Sequence, residues 1–260
     1  MAIDFHAEKN RYTYASREAH SDWIGAITSL ADPNGKVVAD IGCGGGIYSA
    51  AWADIGAAEV IGVDFSEQMV MAATEKNRGR PNLSFCKGDA LATGLPDSSV
   101  DVVFERALIH HLKDFDLCFA EAKRVLRPGG TYIIQDRTPD DVRVPGASDH
   151  LRGYFFERFP KLLDAELGRR PTDDAVRNAL EKAGFEAPKV LTVWETRRQY
   201  ASFDELAPDL RGRVGRSILH NLTDAELAEL VEFIGKQIAD ISPIIEKDRW
   251  TLWSSKRHED

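Results

Sequence analysis

Short apolar runs alternate with amphipathic segments along the first half of the chain. Helical spacing of apolar residues recurs over residues 16–30, 47–55, 66–76 and 114–126, with Ser66 placed to cap the third helix. Five runs between these helices are predicted strands: Val37–Ile41, Val60–Asp64, Leu83–Cys86, Val100–Phe104 and Thr131–Ile134. This alternation predicts an α/β fold, with a parallel sheet covered by helices on both faces.

The pattern changes after residue 136. Residues 137–171 contain aromatic side chains but no clear strand, a helix is predicted over 172–183, and residues 202–246 are predicted to be largely helical. Strands are predicted at 190–194 and 249–253. We expect a single domain over 1–260, with a core over about 20–136, insertions over about 137–171 and 197–247, and closing strands over about 188–195 and 249–254.

The most informative motif is the turn after the first predicted strand, Asp40-Ile41-Gly42-Cys43-Gly44-Gly45-Gly46. Glycine lacks a Cβ and tolerates positive φ, so such a turn brings bare backbone against a ligand. A dinucleotide site wants the spacing G-x-G-x-x-G. Here position 47 is isoleucine, so the spacing departs from that pattern, although a nucleotide-dependent dehydrogenase remains an alternative at this point.

Further polar residues follow the later strands, where ligands bind in open α/β folds. Asp64 ends the second strand and suits the two hydroxyls of a ribose, and Phe65 and Met69 are placed to line an adenine site. Gly88-Asp89-Ala90 follows the third strand. The segment after the fourth strand carries Glu105, Arg106, His110 and His111.

These motifs together resemble class I S-adenosylmethionine-dependent methyltransferases of the small-molecule, methyltransferase-domain 11/25-like branch. The glycine turn resembles their motif I, residues 104–112 resemble motif IV, and Leu126–Gly130 resembles the motif before the fifth strand. The resemblance covers roughly residues 36–136. It implies a Rossmann-like fold of seven mostly parallel strands with an antiparallel last strand, S-adenosyl-L-methionine as cofactor, and methyl transfer to O, N or C of a small-molecule acceptor.

The resemblance also implies a set of cofactor-binding residues. They are Asp40, Gly42, Gly44, Gly46, Asp64, Phe65, Met69, Asp89, Ala90, Glu105 and Arg106. In that family the acid at position 40 lies by the methionine amino group, and the glycine backbone packs beneath the methionine and ribose.

His110 and His111 are the candidate catalytic bases, because imidazole titrates near neutrality and a protonated acceptor needs a base. Both insertions are candidates for a lid over the acceptor. Acceptor-contacting candidates are Tyr12, Tyr14, Arg17, Tyr154, Phe155 and Phe156, for which surface or core packing is the alternative. The basic run Arg211–Arg216 is a candidate for binding a carboxylate or phosphate, or else a solvated loop.

The net charge and the cysteine content limit the kinds of ligand and partner that we expect. A net charge of −9 argues against broad binding to nucleic acid or an anionic membrane. Three dispersed cysteines form no metal pattern, so we expect no metal and a cytoplasmic location. A tRNA or protein methyltransferase and a non-catalytic cofactor-binding protein remain the alternatives. The acceptor and the oligomeric state are not predicted.

Overall fold

The computed structural model describes residues 19–259, so the predicted acceptor contacts Tyr12, Tyr14 and Arg17 lie outside the described residues. Seven strands form one sheet in the order β3-β2-β1-β4-β5-β7-β6. Their bounds are Val37–Ile41 (β1), Glu59–Asp64 (β2), Leu83–Lys87 (β3), Val100–Arg106 (β4), Leu126–Asp136 (β5), Lys189–Tyr200 (β6) and Ile244–Lys256 (β7).

Strands β1 to β5 pair in parallel, and β7 runs antiparallel to both β5 and β6. The predicted fold, a mostly parallel seven-stranded sheet with an antiparallel last strand, is therefore confirmed. The strand order reverses direction between β1 and β4. Crossovers leave β1 toward one edge and β4 toward the other, which opens a crevice at the carboxyl ends of these strands.

Ten α-helices lie in the described part of the chain. Their bounds are Ser21–Thr28 (α1), Ile47–Asp54 (α2), Glu67–Lys76 (α3), Asp116–Val125 (α4), Pro139–Val142 (α5), Leu151–Arg158 (α6), Pro160–Leu167 (α7), Asp173–Lys182 (α8), Phe203–Arg211 (α9) and Asp224–Gln237 (α10). One apolar cluster packs α1 and α2 on the sheet, and a second packs α4 and α8 on it. The sheet is thus covered on both faces, as the alternating pattern predicts.

A third apolar cluster joins α6, α7, α9, α10 and a 3-10 turn at Ser217–Asn221, and we call these elements with α5 the helical cap. This cluster gives the helical cap a core of its own. Thr223 precedes α10 and forms a capping box with Glu226, in which each side chain accepts a hydrogen bond from the other residue's backbone N–H. These bonds satisfy donors that the first helical turn leaves open.

The closing strands are longer than predicted. Residues 197–200 continue β6 and residues 244–247 begin β7, where the sequence analysis expects an insertion and helix. The reason lies in Arg197 and Glu246, which are charged and yet buried, paired at 2.9 Å. Buried charged residues interrupt the apolar alternation from which a strand is predicted, so these residues were not assigned to strands. Strand β5 also begins earlier than the predicted run at Thr131–Ile134, at Leu126.

Candidate functional site

A cavity opens at the carboxyl ends of β1, β2 and β4 and continues beneath the helical cap. Its wall combines the glycine turn (residues 42–46), residues that follow β2 and β4, and arginines from β5, β6 and the cap region. The lining residues include Asp40, Gly42, Gly44, Tyr48, Asp64, Phe65, Met69, Arg106, His110, His111, Arg137, Arg152, Arg169, Arg170, Arg197, Asp248 and Trp250.

The glycine turn needs glycine for two separate reasons. Gly42, Gly44 and Gly46 have φ of 74°, 51° and 72°, a left-handed region that side chains disfavour. A Cβ at Gly46 would also lie 2.6 Å from the Phe85 ring, and one at Gly42 would lie 3.1 Å from Leu108. At Gly44 a Cβ would meet nothing within 4 Å, so there the bare backbone borders open space.

Asp64 ties the glycine turn to the neighbouring strand end. Its Oδ2 accepts a hydrogen bond from the Gly44 N–H at 2.8 Å, and its Oδ1 accepts one from the Ser66 N–H at 2.9 Å. Ser66 in turn caps α3, as predicted. A carboxylate has about four acceptor sites, so Asp64 can hold this turn and still accept hydroxyl hydrogen bonds from a ligand.

Asp40 is the other acid in this half of the cavity. It is buried at the end of β1 and accepts a hydrogen bond from the Ser49 hydroxyl. Burial first and then the charge of Asp64 raise the pKa of Asp40 to about 7, and the Ser49 hydrogen bond and the charge of Arg106 limit the rise. A cationic group placed here would restore the charged carboxylate, so this half of the cavity suits a ligand with a positive charge.

Beyond β4 the chain turns sharply at Ala107, whose φ is +54° and whose N–H donates to the Gln135 carbonyl at 2.8 Å. This turn places the 3-10 turn Ile109–His111 over the glycine turn, with Leu108 against Gly42. A left-handed non-glycine residue is costly and tends to occur where the surrounding structure needs it. Here the turn brings two histidines into the cavity wall.

His110 is held by Asp136, the last residue of β5. Its Nδ1 lies 2.9 and 3.0 Å from the two carboxylate oxygens, and its backbone N–H donates to the same group. Burial opposes the charge of Asp136, but His110 and Arg170 keep the pKa of this carboxyl below its usual range. Since Asp136 is ionised, we assign the Nδ1–H tautomer to His110, which leaves the lone pair on Nε2.

Burial also lowers the pKa of His110, with Arg170 adding to the shift and Asp136 opposing it. His111 stacks on His110 with ring centroids 4.0 Å apart. Its pKa is lowered to about 4 by burial first, and then by His110 and Arg169. Both rings are therefore neutral near pH 7, and the Asp136 carboxylate fixes the orientation of His110.

Arg106 lies between two aromatic rings at the side of the cavity. Its guanidinium carbon is 4.2 Å from the ring centroids of both Tyr48 and Trp250, and its Nη2 is 2.8 Å from Glu195. Glu195 also accepts hydrogen bonds from the Tyr48 hydroxyl and from Gln135. These contacts fix the guanidinium within the cavity wall.

Five more arginines line the cavity, Arg197 of β6 and four that come from other segments, and none of them was predicted from the sequence as a site residue. Arg137 and Arg152 both pair with Asp248, at 2.8 and 3.0 Å. A second group pairs with Glu166, which contacts both Arg169 and Arg170, and Arg170 also reaches Asp136 at 2.7 Å. We call Arg137, Arg152, Arg169 and Arg170 the arginine cluster. The residues come from separate segments, so no local motif announces them.

Several predicted site residues lie away from the cavity wall. The Glu105 side chain is buried beside Cys118, whose Sγ is 3.3 Å from its Oε1, and burial raises the Glu105 pKa to about 7. This places the Glu105 side chain in the core packed under α4, contrary to the predicted cofactor contact. Successive strand residues point to opposite faces, so Glu105 and Arg106 cannot both face the crevice.

The remaining predicted residues serve local structure. Asp89 accepts a hydrogen bond from the Leu91 N–H at 2.8 Å, and Ala90 packs against the core beneath it. The aromatic candidates Tyr154, Phe155 and Phe156 pack in the apolar cluster of the cap. Gly46 contacts Phe85 behind the turn rather than the cavity.

In the basic run 211–216, Arg216 is buried against Glu246 at 2.6 Å, and Arg213 donates to the Leu219 and Leu222 carbonyls. The arginines of this run lie outside the cavity wall. Over residues 19–259, no group of three or more His, Cys, Asp or Glu side chains is arranged to hold a metal ion. Among the helices of that same range, none has the length and apolar character needed to cross a membrane.

Comparison with known proteins agrees with this geometry. Residues 39–134 match the model of a family described as a methyltransferase domain. A Mycolicibacterium smegmatis protein, named a probable S-adenosylmethionine-dependent methyltransferase, is 30% identical over 219 residues, which cover 82% of this chain and 77% of that protein. The 2-methyl-6-phytyl-1,4-hydroquinone methyltransferase of Synechocystis is 34% identical over 146 residues, but the match covers only 44% of its length.

A solved structure extends the likeness of fold to nearly the whole chain. It is the phosphoethanolamine N-methyltransferase 2 of Haemonchus contortus in complex with S-adenosyl-L-methionine. The TM-score is 0.63 at 19% identity, over 98% of this chain and 60% of the other. At this identity the likeness concerns the fold.

Proposed function

Because this chain belongs to the S-adenosylmethionine-dependent methyltransferases, we propose that it methylates O, N or C of a small-molecule acceptor bound beneath the helical cap. The protein is an enzyme, and its cofactor is S-adenosyl-L-methionine. When bound, this sulfonium compound supplies an activated methyl group for in-line displacement. The chain's own residues must then hold both reactants, exclude water and accept a proton.

The glycine-turn half of the cavity is proposed to hold the cofactor. Asp40 would face its ammonium group, the backbone of Gly42 and Gly44 would lie beneath its methionine and ribose, and Asp64 would accept from the ribose hydroxyls. Open space at Gly44 and the raised pKa of Asp40 fit a cationic ligand of this kind.

Phe65 and Met69 are proposed to flank the adenine. Phe65 is 46% exposed and follows Asp64, Met69 is buried, and both side chains line the cavity. Arg106 is proposed to lie near the methionine end, because its charge already acts on the pKa of Asp40. Asp89 and Ala90 are not assigned to the adenine site, since neither is among the cavity-lining residues.

His110 is proposed as the base that takes the acceptor's proton. Its Nδ1–H donates to Asp136, which orients the ring and stabilises the imidazolium once the proton is taken on Nε2. Arg170 contacts the same carboxylate and keeps it ionised. General-base assistance of this type contributes about 10²–10⁴-fold in rate.

One observation carries the proposal: a single cavity is lined by Asp40, Gly44 and Asp64 at the sheet and by His110 beneath the cap. The test is release of S-adenosylhomocysteine, measured by mass spectrometry, when the protein and S-adenosylmethionine are incubated with fractionated, deproteinised metabolite extract. Turnover should appear in a small-molecule fraction and fall in His110→Ala.

Three results would contradict the proposal. Turnover that appears only with an RNA fraction, and that nuclease abolishes, would make the protein an RNA methyltransferase. Turnover that appears only with a protein fraction would make it a protein methyltransferase. Tight cofactor binding without turnover in any fraction would favour the non-catalytic alternative.

A further inference from the structure

The arginine cluster carries more positive charge than the neighbouring carboxylates neutralise. Arg137 and Arg152 share the single carboxylate of Asp248, while Arg169 and Arg170 share Glu166 and Asp136. Arg197, which also lines the cavity, shares Glu246 with the buried Arg216. Six guanidinium groups thus meet four carboxylates, and two positive charges remain uncompensated around a cavity.

Individual donors in the cluster are also unsatisfied. The Nε atoms of Arg137 and Arg169 are buried and have no hydrogen-bond partner among the described residues. Arg137 is only 5% exposed, and its pKa falls to about 9 because of burial and the nearby Arg152. A buried cation with open donors costs free energy unless an anion joins it. The cluster is therefore arranged for an anionic ligand rather than for stability alone.

The cofactor's own carboxylate is the first candidate for that anion, but Arg106 is better placed for it. Arg106 is the guanidinium whose charge counteracts the rise in the Asp40 pKa, and it stacks on Tyr48 at the start of α2. The arginine cluster is instead connected to His110, because Arg170 and His110 contact the same Asp136 carboxylate. The cluster thus borders the part of the cavity assigned to the acceptor.

Resting on the proposed function, we infer that the methyl acceptor carries an oxyanion, a carboxylate or a phosphate, which the arginine cluster holds while the acceptor's nucleophile faces His110. The planar guanidinium fork matches the two oxygens of such a group. The same charges disfavour a neutral apolar acceptor, since it would bury the uncompensated arginines without a partner. The cluster therefore selects for charge, and the distance from the oxyanion to the nucleophile selects among charged acceptors.

The experiment titrates the S-adenosylhomocysteine-saturated enzyme with inorganic phosphate and, separately, with benzoate, in calorimetric runs at constant ionic strength. We expect saturable binding of at least one anion, and the stronger of the two shows which oxyanion the acceptor carries. Arg169→Gln should weaken that binding roughly tenfold, the scale of a lost charge-assisted hydrogen bond.

Arg169 is the variant of choice because its side chain is 31% exposed and Arg170 keeps Glu166 paired without it, so the fold should persist. Arg169→Lys keeps the charge but not the planar guanidinium fork, so its anion affinity should lie between those of the unmodified protein and Arg169→Gln. The matched control is Arg211→Gln, which removes the same charge from an exposed position outside the cavity wall and should leave anion binding unchanged.

Three results would overturn the inference. Anion binding that competes with S-adenosylhomocysteine would mean that the cluster holds the cofactor's carboxylate. Equal weakening in Arg169→Gln and Arg211→Gln would mean a general effect of charge, and the absence of saturable binding of either anion would leave the cluster without a ligand of this class. Failure to bind S-adenosylhomocysteine would count against the proposed function alone, since titration of the protein without it still decides the role of the cluster.

Discussion

The Nδ1 atom of His110 lies 2.9 Å from Oδ2 of Asp136, and the two residues follow neighbouring strands of the sheet. Strand β5 ends at Asp136, and the turn at Ala107 carries the chain from β4 back toward it. The pair exists because two parallel strands end side by side. His111, one position further, stacks on His110 with ring centroids 4.0 Å apart.

The contact between His110 and Asp136 leads to a kinetic test of the two histidines. His110→Ala should lower kcat by about 10²–10⁴-fold with little change in the affinity for S-adenosylhomocysteine. His111→Ala is the matched control, with the same ring removed from the same turn, and should have a much smaller effect. Steady-state kinetics on an identified acceptor would check this, and a larger loss in His111→Ala would reverse the assignment.

The pH dependence of kcat follows from the same pair. A base works in its neutral form, so activity should fall as the pH drops through the pKa of His110. Because burial and Arg170 lower that pKa, the midpoint should lie below the ordinary value of about 6.5. An acidic limb centred above that value would contradict the assignment of His110.

Cofactor binding should release a proton from Asp40. The pKa of this carboxyl is raised to about 7 in the free protein, and a bound ammonium group would lower it. Affinity for S-adenosylhomocysteine should therefore increase with pH up to about 7 and then level off. Calorimetry in buffers of different ionisation enthalpy measures the released proton at pH 6, and Asp40→Asn should abolish both the release and this pH dependence.

Asp64→Ala should weaken binding of S-adenosylhomocysteine by about 1–3 kcal/mol, the scale of hydrogen bonds to a charged group. Part of this loss would come through the glycine turn, because Asp64 also accepts from the Gly44 N–H. Asp97→Ala, an exposed acid that pairs with Arg124, is the control. Equal affinities in Asp64→Ala and the unmodified protein would remove Asp64 from the cofactor site.

Glu105→Gln should change stability rather than cofactor affinity. The folded pKa of Glu105 is raised from 4.5 to about 7, so the folded state holds a proton that the unfolded chain has lost between these values. Stability from this group therefore declines as the pH rises from about 4.5 through 7. The difference in Tm between Glu105→Gln and the unmodified protein should therefore shift in favour of the variant as the pH rises from 5 to 8. A large loss of S-adenosylhomocysteine affinity would instead support the cofactor contact predicted from sequence.

Much of the fold was predictable because its signals are local. The bounds of β1 match the apolar run at 37–41, and Ser66 caps α3 where the sequence places it. Short-range spacing and turn chemistry are enough for such features. The glycine turn and the two acids of its half of the cavity were found for the same reason, since their motif is continuous or directly follows a strand.

The half of the cavity that we propose for the acceptor was not predictable in this way. Arg137, Arg152 and Asp248 meet only after β5, α6 and β7 have come together, and none carries a signal in its own neighbourhood. The basic run at 211–216 is obvious in the sequence but its arginines do not line the cavity, because Arg213 donates to the Leu219 carbonyl within the helical cap and Arg216 pairs with Glu246. Charge density along the chain says little about charge density in a folded cavity, which depends on what each arginine pairs with.

Strand β7 makes the acceptor's surroundings sensitive to chain length. Glu246, Asp248 and Trp250 are buried toward the arginines, whereas Lys247 and Arg249 alternate with them and are less buried. A shift of the strand's register by one residue would exchange these two rows, putting lysine and arginine where the acids stand. Evolution of a new acceptor preference is thus open to substitution in this hairpin but closed to single-residue insertion, and divergent relatives should conserve its length while varying its side chains.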